Sequence, residues 1–418
     1  MDAMSLVKRG IISLALIGLL LAAAGCPPET PPGTQTTSTI QVIRVRLLAG
    51  VSQVSLSATG HPRLSVGDDP AQRELVFPTG AAVSVARAGA GWQIGSAPVA
   101  GGVLRFFPPS GGVLSINDSP YRGGLRFVPI GDGNQFDVVN DVQIDDYLKG
   151  VLARELYADW QVEAYRAQAV VARTYALYHS HTEGLGRYWD VWPDERSQVY
   201  GGVSAETAKS RAAAADTAGL VLVYGPDAGK IFEAYFSSDC GGVTQSAADA
   251  FGGPTIPPLE AHSEAGCDEL SPHANWGPVT IPRAELTRRV RLWASRHGRG
   301  DLAGIAAIAN VEVAALNPFG RPTKFKITDS TGAAHVIAAE EMRSSFNTDA
   351  PPGGTLLSSF CKAEASPERD AIIFYDGHGF GHGVGMCQYC AQQRALEGKS
   401  YEDILMESYP GARFARAY

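Results

Sequence analysis

The sequence predicts an α+β protein, with an antiparallel β-rich N-terminal lobe followed by a helical lobe, and three observations carry that prediction. Between Ile40 and Val139, short runs rich in Val, Ile and Phe are punctuated by Gly, Pro, Asp and Asn, the pattern of antiparallel strands joined by turns. At Asp145 the composition changes abruptly to Ala, Leu, Glu, Gln and Arg, which are good helix formers. With 45% hydrophobic residues in 418, the chain can bury the core of one large domain or of two to three smaller ones.

Residues 1–26 read as a targeting segment. Lys8 and Arg9 precede the apolar run IISLALIGLLLAAAG, which ends at Cys26; this is the layout of a secretory signal, and the run is short for a membrane span. Ala24 and Gly25 directly before Cys26 resemble a bacterial lipobox, with Cys26 as the lipidated first residue of the mature protein. Ala23 stands where Leu is usual, and the alternative is an ordinary cleaved signal. Residues 27–39 form a Pro/Thr-rich tether with nothing to pack.

Residues 40–140 are the β-rich region, with strands expected at IQVIRVRLL, QVSLSA, AAVSVA, GVLRFF, GGLRFVPI and FDVVN. Residues 141–418 follow as one region. A first helix is expected over Tyr147–Leu156, and a longer one from a capping Asp159 to about His181, ending before Gly184. SAETAKSRAAAADTAG predicts a further helix, and LVLVY with IFEAYFSS a hairpin across GPDAG. The tail predicts a helix from Gln388 to Leu396 stopped by Gly398, then a capping box at Ser400 and Asp403 opening YEDILMESY. No internal repeat is present.

Composition excludes some functions. Against 35 basic residues stand 43 acidic ones, a net charge of -8 without a basic block, so nucleic acid is not an expected partner. No GxSxG elbow, GxxxxGK[ST] loop or HExxH helix occurs. The acidic residue that stands out is Glu155 in GVLARELYADW, at the junction of the two predicted helices among Leu152, Leu156 and Trp160. Desolvation there raises a carboxyl pKa and keeps the acid protonated near neutral pH, as a general acid requires. The competing reading pairs Glu155 with Arg154 or Arg173, or leaves it facing water. Asp190, Asp194 and Glu195 are further carboxylates that the fold could bring near.

The run GHGFGHGVGMCQYC, Gly377 to Cys390, has glycine at every second position up to Gly385. In an extended segment these glycines share one bare face, against which a flat sugar ring or another backbone can lie. His378 and His382 on the other face could reach a ligand or together bind zinc. The competing reading is a glycine-rich turn packed under the central helix, with His382 bonded internally. Five cysteines follow Cys26. Cys387 and Cys390 fall on one face at the start of a helix, Cys240 precedes a Gly-Gly turn, and Cys267 sits between His262 and His273. Cys240, Cys267, Cys387 and Cys390 converging on one structural zinc, with Cys361 left over, is one reading; disulfide pairing in an exported protein is the other. A redox CxxC lacks the βαβ setting such motifs have.

In order along the chain, VLARELYADWQVEAYRAQAVVARTYAL, DERSQVYGG, DTAGLVLVY, EAYFSSDCGGVT and GHGVGMCQY resemble the SpoIID/LytB family of cell-wall proteins, from about Asp145 to the C-terminus. The β-rich segment before them resembles the family's usual lead-in. The resemblance implies a SpoIID-like fold with a helical catalytic lobe, and a lytic transglycosylase acting on peptidoglycan glycan strands, especially strands without stem peptides, with Glu155 as the catalytic glutamate. Many members have Glu-Met-Pro where this chain has Glu155, Leu156 and Tyr157. Ser is common at Cys387, Gly at Cys390 and Arg at His378, and some members carry a zinc-site cysteine at the position of Cys240.

Arg173, Gln198, Tyr200, His382 and Gln388 lie in the matched blocks and are candidate substrate contacts or supports. The chemistry implied needs no cofactor; a structural zinc is the one metal in view. The expected partners are glycan strands, a cell-wall amidase if the chain acts as an amidase enhancer, and a membrane reached through the lipid anchor alone. The expected location is the periplasmic or extracytoplasmic face of the envelope. Two other functions fit the same motifs: a non-catalytic, peptidoglycan-gripping amidase enhancer, and a structural envelope lipoprotein.

Overall fold

The computed structural model describes residues 41–418 other than 68–72, 76–80, 132, 265 and 267–268. Cys26, the tether and Cys267 lie outside these residues.

The strand pattern between 42 and 143 folds as two six-stranded sheets. One has the order 42–51, 135–143, 124–130, 104–107, 63–66 and 73–74; the other runs 119–121, 114–116, 53–58, 83–88, 91–94 and 97–100. Their pairings are antiparallel. Period-two alternation sends Trp92, Phe106, Phe127 and Phe136 inward, each at most 1% exposed. Their rings meet edge to face, with centroids 5.0 Å apart for both Trp92–Phe136 and Phe106–Phe127, the arrangement aromatic quadrupoles favour.

Helix α1, Ile144–Glu155, leaves directly from the strand ending at Gln143, and α2, Val162–His181, follows after a short turn. α2 is buried on most sides, as its alanine-rich surface predicts. The expected cap is corrected: Gln161, not Asp159, occupies the N-cap without a side-chain cap bond, and its backbone N–H goes to Gln392 Oε1 at 2.8 Å. Helix α3, Ala208–Asp216, is closed by a capping box between Thr207 and Ser210.

The expected hairpin forms only in part. Leu220–Tyr224 pairs with the two-residue strand Lys230–Ile231 and, on its other edge, with Arg413–Arg416 near the C-terminus. The second arm then leaves the hairpin, and Phe236–Ser237 runs parallel to Met386–Cys387. That crossing brings the glycine-rich segment to the helical lobe.

After the short helix α4, Ala247–Phe251, residues from Trp276 to Tyr375 build a hydrophobic cluster of their own. It packs α5, Arg283–Arg296, α6, Gly300–Ala303, and α7, Ala339–Asn347, against two three-stranded antiparallel sheets. Leu286, Val290, Phe325, Ile327, Phe346 and Phe374 are fully buried there. The chain then returns to the first cluster through α8, Gln388–Leu396, and α9, Tyr401–Ser408. The boundaries of α8 and the capping box of α9 are those the sequence predicts.

Candidate active site

A cavity of about 760 Å³ opens beside the end of α1. Glu155 is the last residue of α1 and faces it, half-buried above Leu152 and Leu156. The backbone N–H of Val199 donates to its Oε1 at 2.8 Å, and the Gln388 side chain hydrogen-bonds the same carboxylate. Burial pushes the carboxyl up to about 7, against these two hydrogen bonds, which favour the ionised form, and with a small push from the Glu195 charge. Neither Arg154 nor Arg173 pairs with Glu155 among the described residues, so the ion-pair reading does not hold.

One face of α2 supplies the next wall. Tyr175 and His179, four residues apart and therefore stacked along the helix, line the cavity, as does Glu183 in the turn just past its end. His179 Nε2 lies 3.0 Å from Glu233 Oε1 and its ring packs on Tyr175 at 4.4 Å. Opposite stand Trp189 and Trp192, 4.6 Å apart, with the guanidiniums of Arg187 and Arg196 over their faces at 3.9 and 3.6 Å. Sequence reasoning missed these residues, although the four-residue spacing in YALYHSHTE and the paired tryptophans of YWDVW were visible.

Other carboxylates reach the cavity, but partners hold most of them. Arg44 takes both oxygens of Asp190 through its side chain and backbone N–H. Glu183 pairs with Arg187 and Glu233 with His179, while Asp194 is tied to Arg196 outside the cavity lining.

The remaining predicted site residues divide. Gln388 and His382 line the cavity; Arg173, Gln198 and Tyr200 do not. Arg173 is fully buried and its guanidinium is consumed by Asp145 at 2.7 Å, the Leu220 and Ala214 carbonyls and the Tyr418 hydroxyl. It is a clamp between helices, which corrects its reading as a substrate contact. Gln198 accepts from the Tyr147 hydroxyl at 3.1 Å, and the Tyr200 hydroxyl donates to Asn140 Oδ1 at 3.1 Å. Both are buried supports behind Glu155.

The glycine-rich segment is not a strand with a free bare face. Gly379, Gly381, Gly383 and Gly385 all have positive φ, between 71° and 102°, and the segment crosses its neighbours through isolated bridges to Asp239, Ser358 and Gln245. A Cβ at Gly385 would overlap the Tyr235 carbonyl oxygen, and one at Gly383 the Arg321 guanidinium. The glycines make room for packing, as the competing reading held. His382 is bonded internally: its Nδ1 accepts the Val384 N–H at 2.9 Å, its ring abuts Phe251 and Tyr235, and burial lowers its pKa to about 4. Fully buried Arg321 pins the segment to the Cys240 turn, donating to the carbonyls of Cys240 and Val243 at 2.8 Å and of His382 at 3.0 Å.

Cys240, Cys387 and Cys390 are buried, with their sulfurs within 4.8 Å of one another. Among the described residues this is the one cluster of three or more such side chains, and neither His378 nor His382 belongs to it. Cys387 caps α8, accepting the N–H of Cys390 at 3.4 Å and that of Cys240 at 3.3 Å. Cys240 Sγ is 3.8 Å from Cys390 Sγ, close to the sulfur–sulfur edge of a tetrahedron with Zn–S bonds of about 2.3 Å. Cys390 takes part in a disulfide, whereas Cys240, Cys361 and Cys387 are free thiols. Burial raises the Cys361 thiol to about 12.

The profile of the SpoIID family, described as stage II sporulation protein, matches residues 132–224. That span holds Glu155 and the α2 wall. An uncharacterized protein of Brachyspira hyodysenteriae is 32% identical over 299 residues, covering 71% of this chain and 73% of that protein. The chain belongs to the SpoIID/LytB family. The amidase enhancer of Bacillus subtilis is 27% identical over 334 residues, which cover 71% of this SpoIID/LytB chain but only 44% of the enhancer. Stage II sporulation protein D of the same organism is 26% identical over 294 residues, 67% of this chain and 76% of that protein. The SpoIID profile stops before the hairpin leads into the glycine-rich and cysteine elements, so this chain's particular cysteines lie beyond the profile match.

Proposed function

We propose that this protein is an exported, lipid-anchored lytic transglycosylase that cleaves peptidoglycan glycan strands, preferentially those without stem peptides, with Glu155 as its one acid and base. The observation that carries the reading is the half-buried Glu155 carboxyl held at about 7 at the floor of an aromatic-walled cavity. Breaking a glycosidic bond requires a proton on the leaving oxygen as positive charge develops on the sugar. Protonated Glu155 supplies it. The ionised Glu155 then takes the proton of the sugar's own C6 hydroxyl as that oxygen closes on C1, so no second carboxylate is needed and the product ends in a 1,6-anhydro ring. Glu155→Gln tests the assignment: cleavage of purified peptide-free strands should fall at least ~10³-fold with glycan binding retained.

A second reading has its own support, since one relative is named amidase enhancer. In that reading the cavity grips glycan for a partner amidase, and Glu155→Gln leaves stimulation of the amidase intact.

A structural zinc is part of the proposal. Cys240, Cys387 and Cys390, with Cys267 as fourth ligand, would hold it once the disulfide at Cys390 is reduced, and it would brace the start of α8 without entering the chemistry. Elemental analysis with thiol counting should find about one zinc per chain and all cysteines after Cys26 reduced; metal-free protein with disulfides contradicts it. The anchor at Cys26 is tested by the mass of the mature N-terminus. No helix among the described residues is long and apolar enough to cross a membrane.

A further inference from the structure

Gln388 lines the cavity beside Glu155 and is 6% exposed. Its side chain does two things: it hydrogen-bonds the Glu155 carboxylate, and its Nε2 donates to Gln168 Oε1 at 3.4 Å. Gln168 is fully buried on α2, and its own Nε2 has no partner. A chain of two carboxamides therefore ends on the acid, one from α8 and one from α2, with a spare donor at its far end.

A carboxamide turned by 180° occupies nearly the same volume while exchanging a donor for an acceptor. In the orientation seen, Gln388 presents N–H to an ionised Glu155. If both amides turn, the spare Gln168 N–H donates to Gln388 Oε1, and that oxygen faces Glu155, where it accepts the O–H of the protonated acid. We infer that Gln388, backed by Gln168, is a positioning residue that holds the Glu155 carboxyl in one place through both its protonation states. This rests on the reading of Glu155 as acid first and base second, a role in which the carboxyl changes state within every turnover. It also gives the cysteine-capped start of α8 a task, since Cys387 fixes the residue that follows it.

The groups around Glu155 are Gln388, the Val199 N–H, Glu195, and the buried hydroxyls of Tyr147 and Tyr175. Of these, the two amide donors favour the carboxylate and the Glu195 charge opposes it.

The test uses Gln388→Met, which keeps length and removes both polar ends, and Gln168→Met, which removes the backing amide. Full-length protein labelled at the glutamate carboxyl carbon is titrated by NMR, with the Glu155 signal identified by its loss in Glu155→Gln. Because its hydrogen bond to the ionised carboxylate is the stronger of the two, Gln388→Met should raise the Glu155 pKa by about one unit and lower kcat ~10-fold or more with KM little changed; Gln168→Met should do both to a smaller degree. An unchanged Glu155 titration in Gln388→Met overturns the inference, as does a raised KM at unchanged kcat, which marks a direct substrate contact. If Gln388→Met does not fold, an unchanged titration in Gln168→Met overturns it. Should Glu155→Gln prove active, the proposed function fails, while the titration still decides whether the amides govern this carboxyl.

Discussion

Glu155 and His382 enter one cavity from opposite ends of the sequence, the first at the end of α1 and the second in the glycine-rich segment, and burial acts on both. It moves them in opposite directions, the carboxyl up to about 7 and the imidazole down to about 4. Both results favour the neutral form. The difference lies in what each is left free to do. His382 has its Nδ1 committed to the Val384 N–H and its carbonyl to Arg321, so it is part of the wall. Glu155 has two donors that favour its charged form and a desolvated pocket that opposes them. It is poised to change state near neutral pH, whereas His382 is held in one state.

The comparison breaks most sharply at the glycines. Gly385→Val places a β-branched side chain at φ +71° against the Tyr235 carbonyl. It should cost more than ~3 kcal/mol, read as a large fall in Tm or loss of soluble protein. Gly381 lines the cavity, and there the tightest approach of a Cβ is to the Ser237 side chain at 3.1 Å, with the backbone no nearer than 3.8 Å. Gly381→Ala should cost about 1 kcal/mol from its φ of +102°. Equal losses at both positions would mean the segment bears no graded packing of this kind.

A smaller effect separates the two titrating groups. The Glu155 carboxyl sits at about 7 in the fold against an ordinary 4.5, so the folded state binds its proton more tightly than the unfolded chain does. The resulting stability is fully present below the unfolded value, declines as pH rises from about 4.5 to 7, and is absent above that. Glu155→Gln removes this loss. Its stability relative to wild type should therefore rise across that window by about 1–3 kcal/mol and then stay level. Denaturant melts at pH 4 and pH 8 read the change, and an equal difference at both would show that the carboxyl is not perturbed.

Much of this site was legible in the sequence because its signals are local. An acid flanked by Leu152, Leu156 and Trp160 announces its own desolvation, and Ser400 with Asp403 announces a helix start. Arg173 stayed open between contact and support because its partners, Asp145, Ala214, Leu220 and Tyr418, come from four separate stretches that only the fold assembles. The glycine run was misread for a related reason. Alternation suggests a strand, but the glycines answer to backbone crossings at Asp239 and Tyr235 and to the Arg321 guanidinium, none of which leaves a local mark. The separate core of residues 276–375 passed unseen because both clusters draw on the same apolar residue types.

The central claim is that Glu155 alone serves as acid and then base, and the ends of the products test it most directly. Peptide-free glycan strands incubated with the purified protein, then examined by mass spectrometry, should yield fragments ending in 1,6-anhydro-muramic acid, with a rate that falls as pH rises through about 7, where the acid loses its proton. Fragments with reducing ends in their place would show that water, activated by a second group, had done the work assigned to the sugar's own hydroxyl.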